Sequence, residues 1–362
     1  MNASDQPDND AKLPINRSRR PRYSGTHPKS FQQKYKEHNI EAYPELKAHL
    51  QAKGKTPAST HIPVLTKEVL EYLKPMQGEV VIDCTVGHGG HALEFIKRIG
   101  PNGKLIGLDV DSTELERTRQ RLSEVSTPVS FYYSNFAGIS NVLGKEKLDG
   151  YDIIFADLGI SSMQIDNPDR GFSYKYKGPL DMRMDDRLKQ NASDLLNSLS
   201  EEKLAKAFLE LADEPDHKEI ASQIIIERTE RTITETGQLV DIIFDAKGID
   251  QKAWRQQRRT DKIKSLHPAA RVFQALRMLV NDELGCLREL LRVAPYCLRP
   301  GGRIGIISFH SGEDRIVKHS FRDGVKNGTY LSISESVIMP EKEEINSNPR
   351  SKSAKFRWAV TK

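Results

Sequence analysis

The sequence predicts an α/β protein with a Rossmann-like, doubly wound sheet and an inserted helical domain. Two observations carry this prediction. From residue 79 onward, short and nearly continuous apolar runs alternate with segments of helical length, a pattern typical of parallel strands buried on both faces. The alternation stops after residue 158 and resumes near residue 266, and between these points apolar residues recur every three or four positions, which indicates helices.

Five apolar runs predict the strands of the sheet. They lie at residues 80–84, 104–110, 129–134, 151–158 and 302–309. Between the second and third runs, Asp111 followed by Glu114 has the spacing of a capping box and predicts a helix over residues 112–125.

The helical stretch predicts a domain that interrupts the sheet. A chain of 362 residues exceeds the usual size of one domain, so a large insertion or a second domain is expected. Residues 166–265 are assigned to the insertion, and residues 59–165 and 266–362 to the core. One long helix near residues 269–293 and a turn at residues 298–302 are expected to lead into the last predicted strand.

Composition excludes several classes of protein. No apolar run approaches the roughly 20 residues that a membrane-spanning helix needs, and the first 60 residues lack the apolar region of a secretory signal. The three cysteines show neither paired spacing nor a CxxC pattern. We therefore expect a cytoplasmic protein without a membrane partner, and we leave open whether it forms a homodimer.

The first 58 residues form a basic extension. They contain eleven Lys or Arg against six Asp or Glu, a surplus as large as the net charge of +5 of the whole chain. Few aliphatic residues are present, so this segment cannot bury a core and is expected to be disordered, or partly helical around residues 31–52. Such an extension either contacts nucleic-acid phosphates or is a solvated tail without a partner.

A nucleotide site is predicted where the first strands end. The glycine-rich run at residues 83–91 follows the first strand, where it lets the backbone pass close to a ligand. Asp109 ends the second strand, about 20 residues further on, where a carboxylate can accept the ribose hydroxyl hydrogens. The pair implies an adenosine-containing ligand, in either a nicotinamide enzyme or a methyltransferase. His88 and His91 lack a partner that would complete a metal site, so no metal is expected.

Two later strand ends add to this site. Phe136 follows the third strand, where it could pack against an adenine ring or belong to the core. Asp157 ends the fourth strand at the lip of the sheet, which is an active-site position in this topology.

Seven motifs together resemble the MraW/RsmH family of small-subunit ribosomal RNA cytosine-N4 methyltransferases. They are HIPVL (61–65), DCTVGHGGH (83–91), DLGISSMQID (157–166), RGFS (170–173), GPLDMRM (178–184), HPAARVFQALR (267–277) and ISFHSGEDRIV (307–317). The resemblance runs in order from about residue 61 to the end. It implies a class I methyltransferase fold whose helical insertion recognises the substrate.

The resemblance also implies a cofactor, a partner and an activity. The cofactor is S-adenosyl-L-methionine, and the substrate is a cytidine in the decoding region of 16S rRNA within the small ribosomal subunit. The residues that match the family's cofactor contacts are Gly89, Gly90, His91, Asp109, Phe136, Asp157 and Gln164. The alternatives are a nicotinamide-dependent oxidoreductase on the same fold and a non-catalytic rRNA-binding assembly factor.

Candidate catalytic and RNA-binding residues follow from the chemistry. Cytosine N4 is a poor nucleophile, so a hydrogen-bond acceptor is needed; Asp157 is the first candidate and His310 the second. Either residue could instead serve only to orient the cofactor or to hold a loop. The candidate RNA contacts are Phe172, Tyr174, Arg183, Arg255, Arg258 and Arg259, for which a packed lid and a solvated linker are the alternatives.

Three departures from the family pattern are present. The basic extension before residue 61 is absent from typical family members. Residues 213–217 read DEPDH where the family has a Gly-Glu-Glu-Arg run, and Gly312 stands where the family has Leu.

Overall fold

A seven-stranded sheet organises the part of the chain that the computed structural model describes, residues 63–259 and 266–362. Its strands are β1 (Val80–Asp83), β2 (Lys104–Asp109), β3 (Val129–Tyr133), β4 (Tyr151–Asp157), β5 (Leu298–Ser308), β6 (Tyr330–Ile333) and β7 (Lys355–Thr361). The order across the sheet is β3-β2-β1-β4-β5-β7-β6. The first five strands run parallel, and β7 is antiparallel to both of its neighbours. The predicted α/β class and its doubly wound parallel sheet are confirmed.

Helices follow the strands as the alternating pattern predicts. The first five are α1 (Thr66–Leu73), α2 (Gly90–Ile99), α3 (Ser112–Arg121), α4 (Ile139–Glu146) and α5 (Ser162–Asp166). The next five are α6 (Ala192–Ser198), α7 (Glu201–Ala212), α8 (His217–Glu230), α9 (Thr236–Ala246) and α10 (Gln251–Arg259). The last four are α11 (Ala270–Asn281), α12 (Glu283–Cys297), α13 (Ser311–Lys326) and α14 (Lys342–Ser347). None of the described helices is long and apolar enough to span a membrane.

Both faces of the sheet are buried because each central strand sends alternate apolar side chains to opposite sides. In β4, Ile154 belongs to a cluster with residues of α12 and α13, which we call the first cluster. Ile153 and Phe155 belong to a cluster on the other face, the second cluster, together with residues of α1 and α2. This two-sided packing explains the continuous apolar runs in the sequence.

A third hydrophobic cluster lies between β4 and α12 in the chain. It joins apolar residues of α6, α7, α8 and α9, whose helical spacing is visible in the sequence. Residues of α11, such as Phe273 and Leu276, also belong to it. All described residues fall within one compact unit, so the domain boundaries of the sequence analysis stay a prediction.

The helix expected near residues 269–293 is two helices, and this expectation was wrong. The break lies at Asp282, whose φ of 46° and ψ of 45° place it in the left-handed region. Asn281 explains the break. Its side chain donates to Met182 O at 2.8 Å and accepts from Met184 N at 2.7 Å, which fixes the end of α11 to the loop before α6. The chain then changes direction, because α11 packs in the third cluster and α12 in the first.

The helix expected over residues 112–125 is α3, which ends earlier, at Arg121. Asp111 caps it as predicted and accepts from the backbone N–H groups of Thr113 and Glu114 at 3.1 and 3.2 Å. The Glu114 side chain does not close a capping box, because its carboxylate contacts Arg117 at 2.7 Å. The helix expected around residues 31–52 lies outside the described residues.

Candidate functional site

The candidate site lies at the carboxyl edge of the sheet, beside the point where the strand order reverses. β1 and β4 are neighbours there, although β2 and β3 extend the sheet on one side and β5 on the other. Loops diverge at such a point and leave a crevice for ligands. Asp83 and Asp157 end the two strands that flank this crevice, and Asp109 ends the next strand.

The glycine-rich loop passes close to the neighbouring helix. Gly89 has a φ of 76°, which strongly favours glycine, and it is the N-cap residue of α2. A Cβ at this position would lie 2.9 Å from Thr118 Cγ2 of α3, closer than packed side chains allow. The predicted role of a glycine here therefore has a steric basis, since only glycine lets the loop lie against α3.

Asp109 holds this loop in place. Its Oδ2 accepts from Gly87 N at 2.8 Å, and its Oδ1 accepts from Asp111 N at 2.9 Å. Burial raises the pKa of Asp109 to about 6, although both backbone hydrogen bonds oppose that rise. Each oxygen keeps a further lone pair for a ligand hydroxyl. The structure thus brings the glycine loop and Asp109 together, as their spacing in the sequence predicts.

Buried polar atoms without partners meet between β1, β4 and α2. Asp157 Oδ2 lies 3.7 Å from His91 Nε2, beyond hydrogen-bond distance. Three side-chain atoms here are buried and lack a hydrogen-bond partner, namely Asp83 Oδ2, His91 Nε2 and Asp157 Oδ1. Buried polar atoms are nearly always paired in folded proteins, so a group of three such orphans indicates a ligand site.

The electrostatics of this group are unusual. Burial, followed by the charges of Asp83 and Glu313, raises the pKa of Asp157 to about 8. Burial also raises the pKa of Asp83 to about 7, with a further contribution from Asp109. Burial lowers the pKa of His91 to about 3, so this imidazole is neutral at pH 7. The group therefore favours a cationic ligand, which would relieve the repulsion between the carboxylates.

Thr85 links the two strands at the floor of the site. Its hydroxyl accepts from Asp157 N at 2.7 Å, and its backbone N–H donates to Asp83 Oδ1 at 3.1 Å. Neither Asp83 nor Thr85 was a site candidate in the sequence analysis, although both lie in the glycine-rich motif. Their position next to the end of β1 is the signal that could have identified them.

His310 caps α13 and faces the same region from β5. Its Nδ1 accepts from Glu313 N at 3.4 Å, while Glu313 Oε2 accepts from Phe309 N at 2.9 Å. His310 Nε2 lies 3.2 Å from Glu313 Oε1. Because Nδ1 serves as an acceptor, the neutral ring carries its hydrogen on Nε2. Gly312 leaves room for this ring, since a Cβ there would lie 3.1 Å from Nδ1.

Arg277 of α11, paired with Glu283 at the start of α12, lies near Glu313. Arg277 donates to both carboxylate oxygens of Glu283 at 2.7 and 2.8 Å. Burial raises the pKa of Glu313, but His310, Phe309 N–H and Arg277 outweigh it, so the net shift is downward. Glu313 is therefore a buried carboxylate that stays charged.

Gln164 lies in a network around Asp111. Its Nε2 donates to Asp111 Oδ2 at 3.0 Å, and its Oε1 accepts from Ser161 N at 2.9 Å, which closes a capping box for α5. Arg170 donates to the same Asp111 oxygen at 2.7 Å. Phe136 follows β3 and is half-buried against the first cluster. Both residues lie near the crevice, but their cofactor contacts remain predictions.

The histidines of the glycine-rich loop do not converge on a metal. His88 Nε2 contacts Met163 Sδ at 3.0 Å, and its Nδ1 lies 3.0 Å from Glu114 Oε2. Across residues 63–259 and 266–362, no group of three or more His, Cys, Asp or Glu residues is arranged to hold a metal ion.

The first three candidate RNA-binding residues lie in the segment between α5 and α6. Phe172 is buried in the third cluster, and Tyr174 stacks on His267 with ring centroids 4.2 Å apart. Arg183 is paired with Asp181 at 2.7 Å. Both rings thus take part in packing, which was the alternative left open above, and their contact with RNA stays a prediction.

The basic candidates lie on α10. Arg255 and Arg258 are exposed, whereas the side chain of Arg259 is outside the described part of the chain. Trp254, on the same helix, packs edge-on against Phe244 and His267 at 5.8 and 4.7 Å between centroids. The DEPDH departure lies elsewhere, between α7 and α8, where Glu214 is buried and pairs with Lys247 at 2.5 Å.

Comparison with known proteins agrees with this architecture. A family model described as the MraW methylase family matches residues 58–362. A ribosomal RNA small subunit methyltransferase H 2 of Alkaliphilus metalliredigens is 44% identical over 351 residues, which cover 95% of this chain and 97% of the relative. A ribosomal RNA small subunit methyltransferase H 1 of Lachnoclostridium phytofermentans is 41% identical over 346 residues, covering 94% and 92%.

Among solved structures, an rRNA methylase from Streptococcus thermophilus aligns with a TM-score of 0.34 at 11% identity, covering 83% of this chain and 98% of that one. The family model and the two relatives each span most of the chain, and all describe methylases or methyltransferases. The chain therefore belongs to the MraW methylase family.

Proposed function

We propose that this protein transfers a methyl group from S-adenosyl-L-methionine to the exocyclic N4 of a cytidine in the decoding region of 16S rRNA. The observation that carries the proposal is the group of buried, unpartnered atoms of Asp83, His91 and Asp157 beside the Asp109 loop. Family membership and the names of the relatives support the same reaction class.

The residues present fit this cofactor. Asp109 has lone pairs for the ribose hydroxyls, and Phe136 offers a half-buried ring near the end of β3 for the adenine. Asp83 and Asp157 would hold the cationic amino-acid end, since both carboxylates lie in a buried, partner-poor crevice. When bound, the cofactor supplies an electrophilic methyl group on a sulfonium. Gly89 and Gly90 carry no side chains, so a ligand can approach the backbone of this loop closely.

Asp157 is the group that best suits activation of the amine. The N4 lone pair is delocalised into the ring, so a carboxylate that accepts an N4 hydrogen increases the electron density on nitrogen. As the bond from N4 to the methyl carbon forms and the bond from sulfur to carbon breaks, N4 must lose one proton. Asp157 can take this proton when it is ionised, and a cationic ligand in the crevice would favour the ionised form over the protonated form that burial promotes.

His310 suits a positioning role better than a catalytic one. With Nδ1 accepting the Glu313 N–H, the neutral ring has no free acceptor at Nε2 and cannot take a proton there. It would fix the position of the loop after β5 relative to the loop that follows Asp157. This distinction between the two candidates comes from the cap of α13, which motif spacing alone does not reveal.

The RNA backbone would meet the exposed face of α10. Lys252, Arg255 and Arg258 are exposed on this helix, and Lys175 is exposed on the loop that carries Tyr174. The charges of Arg258, Arg255 and Lys175, after burial, lower the pKa of His267 to about 4. These cations therefore converge on one region, which suits contact with phosphates.

The test combines methyl transfer with the Asp157→Asn variant. Wild-type protein with labelled S-adenosylmethionine and small subunits from a strain lacking the enzyme should incorporate label into cytosine N4. At saturating cofactor, Asp157→Asn should lower the single-turnover rate by about 100-fold or more while RNA affinity is retained. Asp149→Asn, at an exposed position, is the matched control and should leave both unchanged.

Four results would contradict the proposal or the role given to Asp157. Label on another atom or another RNA would exclude cytosine N4 or the small subunit. Binding of small subunits without any transfer would favour an assembly factor, and binding of a nicotinamide dinucleotide in place of S-adenosylmethionine would favour an oxidoreductase. Equal losses of rate and RNA affinity in Asp157→Asn would assign that residue to positioning alone.

A further inference from the structure

A base that reacts at Asp157 needs an aromatic surface beside that carboxylate. Enzymes that modify a base within folded RNA extrude it into a pocket, where stacking on an aromatic ring offsets part of the lost stacking in the RNA. Phe172 and Tyr174 were expected to supply this surface, but their rings are packed in the third cluster.

The pairing of β4 with β5 brings a different aromatic residue to the required place. Asp157 is in register with Ile307, and Leu158 N donates to Ile307 O at 2.9 Å. Gly159 follows Asp157 by two residues, and Phe309 follows Ile307 by two residues. Both therefore lie at the same height beyond the carboxyl edge of the sheet. A Cβ on Gly159 would lie 3.7 Å from Phe309 Cδ2, which places the ring next to the Asp157 loop.

The two side chains also share a face of the sheet. Phe155, two residues before Asp157, belongs to the second cluster, and so does Ile307, two residues before Phe309. Because side chains alternate along a strand, Asp157 and Phe309 follow their neighbours to that face. Phe309 itself packs against the second cluster.

The ring of Phe309 is held in place but not enclosed. It is half-buried, and its backbone N–H donates at 2.9 Å to Oε2 of Glu313, which also closes the capping box of α13 with His310. Gly159, opposite the ring, is exposed and has a φ of 98°, a region that favours glycine. The space that a side chain would occupy at residue 159 is thus left open beside the ring.

We propose that Phe309 is the aromatic surface on which the target cytosine stacks while its amino group faces Asp157, and that Gly159 leaves room for the base. This inference rests on the proposed function, because it assumes that a cytosine is the acceptor. It assigns a specificity role to the loop after β5, opposite the carboxylate that ends β4.

The test compares variants that keep or remove the aromatic face. Phe309→Leu keeps an apolar side chain without the ring, whereas Phe309→Tyr keeps the ring. Turnover of small subunits is measured together with S-adenosylmethionine affinity by calorimetry and with thermal stability. Phe309→Leu should lower kcat/KM for the small subunit by about tenfold or more. Phe309→Tyr should retain most activity, and cofactor affinity should be unchanged in both.

A matched control is Phe131→Leu, which removes a half-buried ring of β3 and should leave kcat/KM unchanged. Wild-type activity in Phe309→Leu, or an equal loss in Phe309→Tyr, would overturn the stacking role while methyl transfer by the wild type still stands. If the wild type transfers no methyl group to the small subunit, the proposed function fails and this inference fails with it.

Discussion

At the scale of single residues, the carboxylate of Asp109 has two roles. It fixes the glycine loop through Gly87 N–H and offers its remaining lone pairs to the ribose of the proposed cofactor. We expect Asp109→Ala to weaken S-adenosylmethionine binding at least tenfold, since each charge-assisted hydrogen bond contributes about 1.5 to 3 kcal/mol. Isothermal calorimetry on the folded variant measures this change.

Asp149→Ala is the control for a general effect of removing an acidic residue, since Asp149 is exposed and remote from the glycine loop. Cofactor affinity equal to that of the wild type in a folded Asp109→Ala protein would show that the carboxylate only shapes the loop.

The candidate residues were predictable to different degrees, for a physical reason. Asp109 and Asp157 end buried strands, and the ends of parallel strands meet at one edge, so their proximity follows from the sequence pattern. Phe172 and Tyr174 lie in a loop, where an aromatic residue can face a ligand or the core. Only the packing against His267 and the third cluster separates these two outcomes.

At the scale of elements, α10 combines an aromatic anchor with a cationic face. Trp254 packs against Phe244 and His267, so the exposed Arg255 and Arg258 are presented on a fixed helix. We expect Arg255→Gln combined with Arg258→Gln to weaken binding to the small subunit and to reduce the salt dependence of the binding constant. The slope should change by about 0.7 to 0.9 per lost phosphate contact.

Binding titrations at several salt concentrations measure this slope. Arg292→Gln, an exposed arginine of α12 paired with Glu289, is the matched control and should keep the wild-type slope. An unchanged slope in the double variant would assign α10 to a solvated surface, and an altered cofactor affinity would indicate a wider structural change.

The strands could be predicted from the sequence where both of their faces are buried. β1, β2, β4 and the second half of β5 are largely buried and therefore appear as continuous apolar runs, whereas the edge strand β3 is half-buried. β6 mixes buried with exposed positions and β7 alternates buried with half-buried ones, so neither forms a continuous apolar run and neither was predicted from the sequence. The break at Asp282 also escaped, because the tertiary contacts of Asn281 with Met182 and Met184 determine it.

At the scale of the whole molecule, the buried carboxyl groups link stability to pH. Burial raises the pKa of Asp157 to about 8 and that of Asp83 to about 7, above the values expected for an unfolded chain. The folded protein therefore binds more protons than the unfolded chain between pH 7 and 8. Its free energy of unfolding should fall with rising pH, by about 1 kcal/mol per pH unit.

Between pH 7 and 8 the slope is largely free of an opposing contribution from two histidines. His91 and His267 have lowered pKa values, about 3 and 4, so below pH 6.5 they make stability rise with pH. Urea unfolding between pH 7 and 8 measures the slope. Asp157→Asn should flatten it, Asp149→Asn should not, and saturating S-adenosylmethionine should reduce it by supplying a cation. If the unfolding free energy of the wild type does not change between pH 7 and 8, the raised pKa values of Asp83 and Asp157 are contradicted.

The adjacency of β4 and β5 has a consequence for the order of folding. Residues 158–297 separate the two strands in the chain, and closing a flexible loop of that length costs about 4 kcal/mol of conformational entropy. The buried residues of the third cluster all lie within 172–280, so the cluster can assemble while β4 and β5 are still apart. Its assembly shortens the disordered chain that remains to be closed. We therefore expect Asp157 and Phe309 to come together in a late step, after most of the intervening chain has folded.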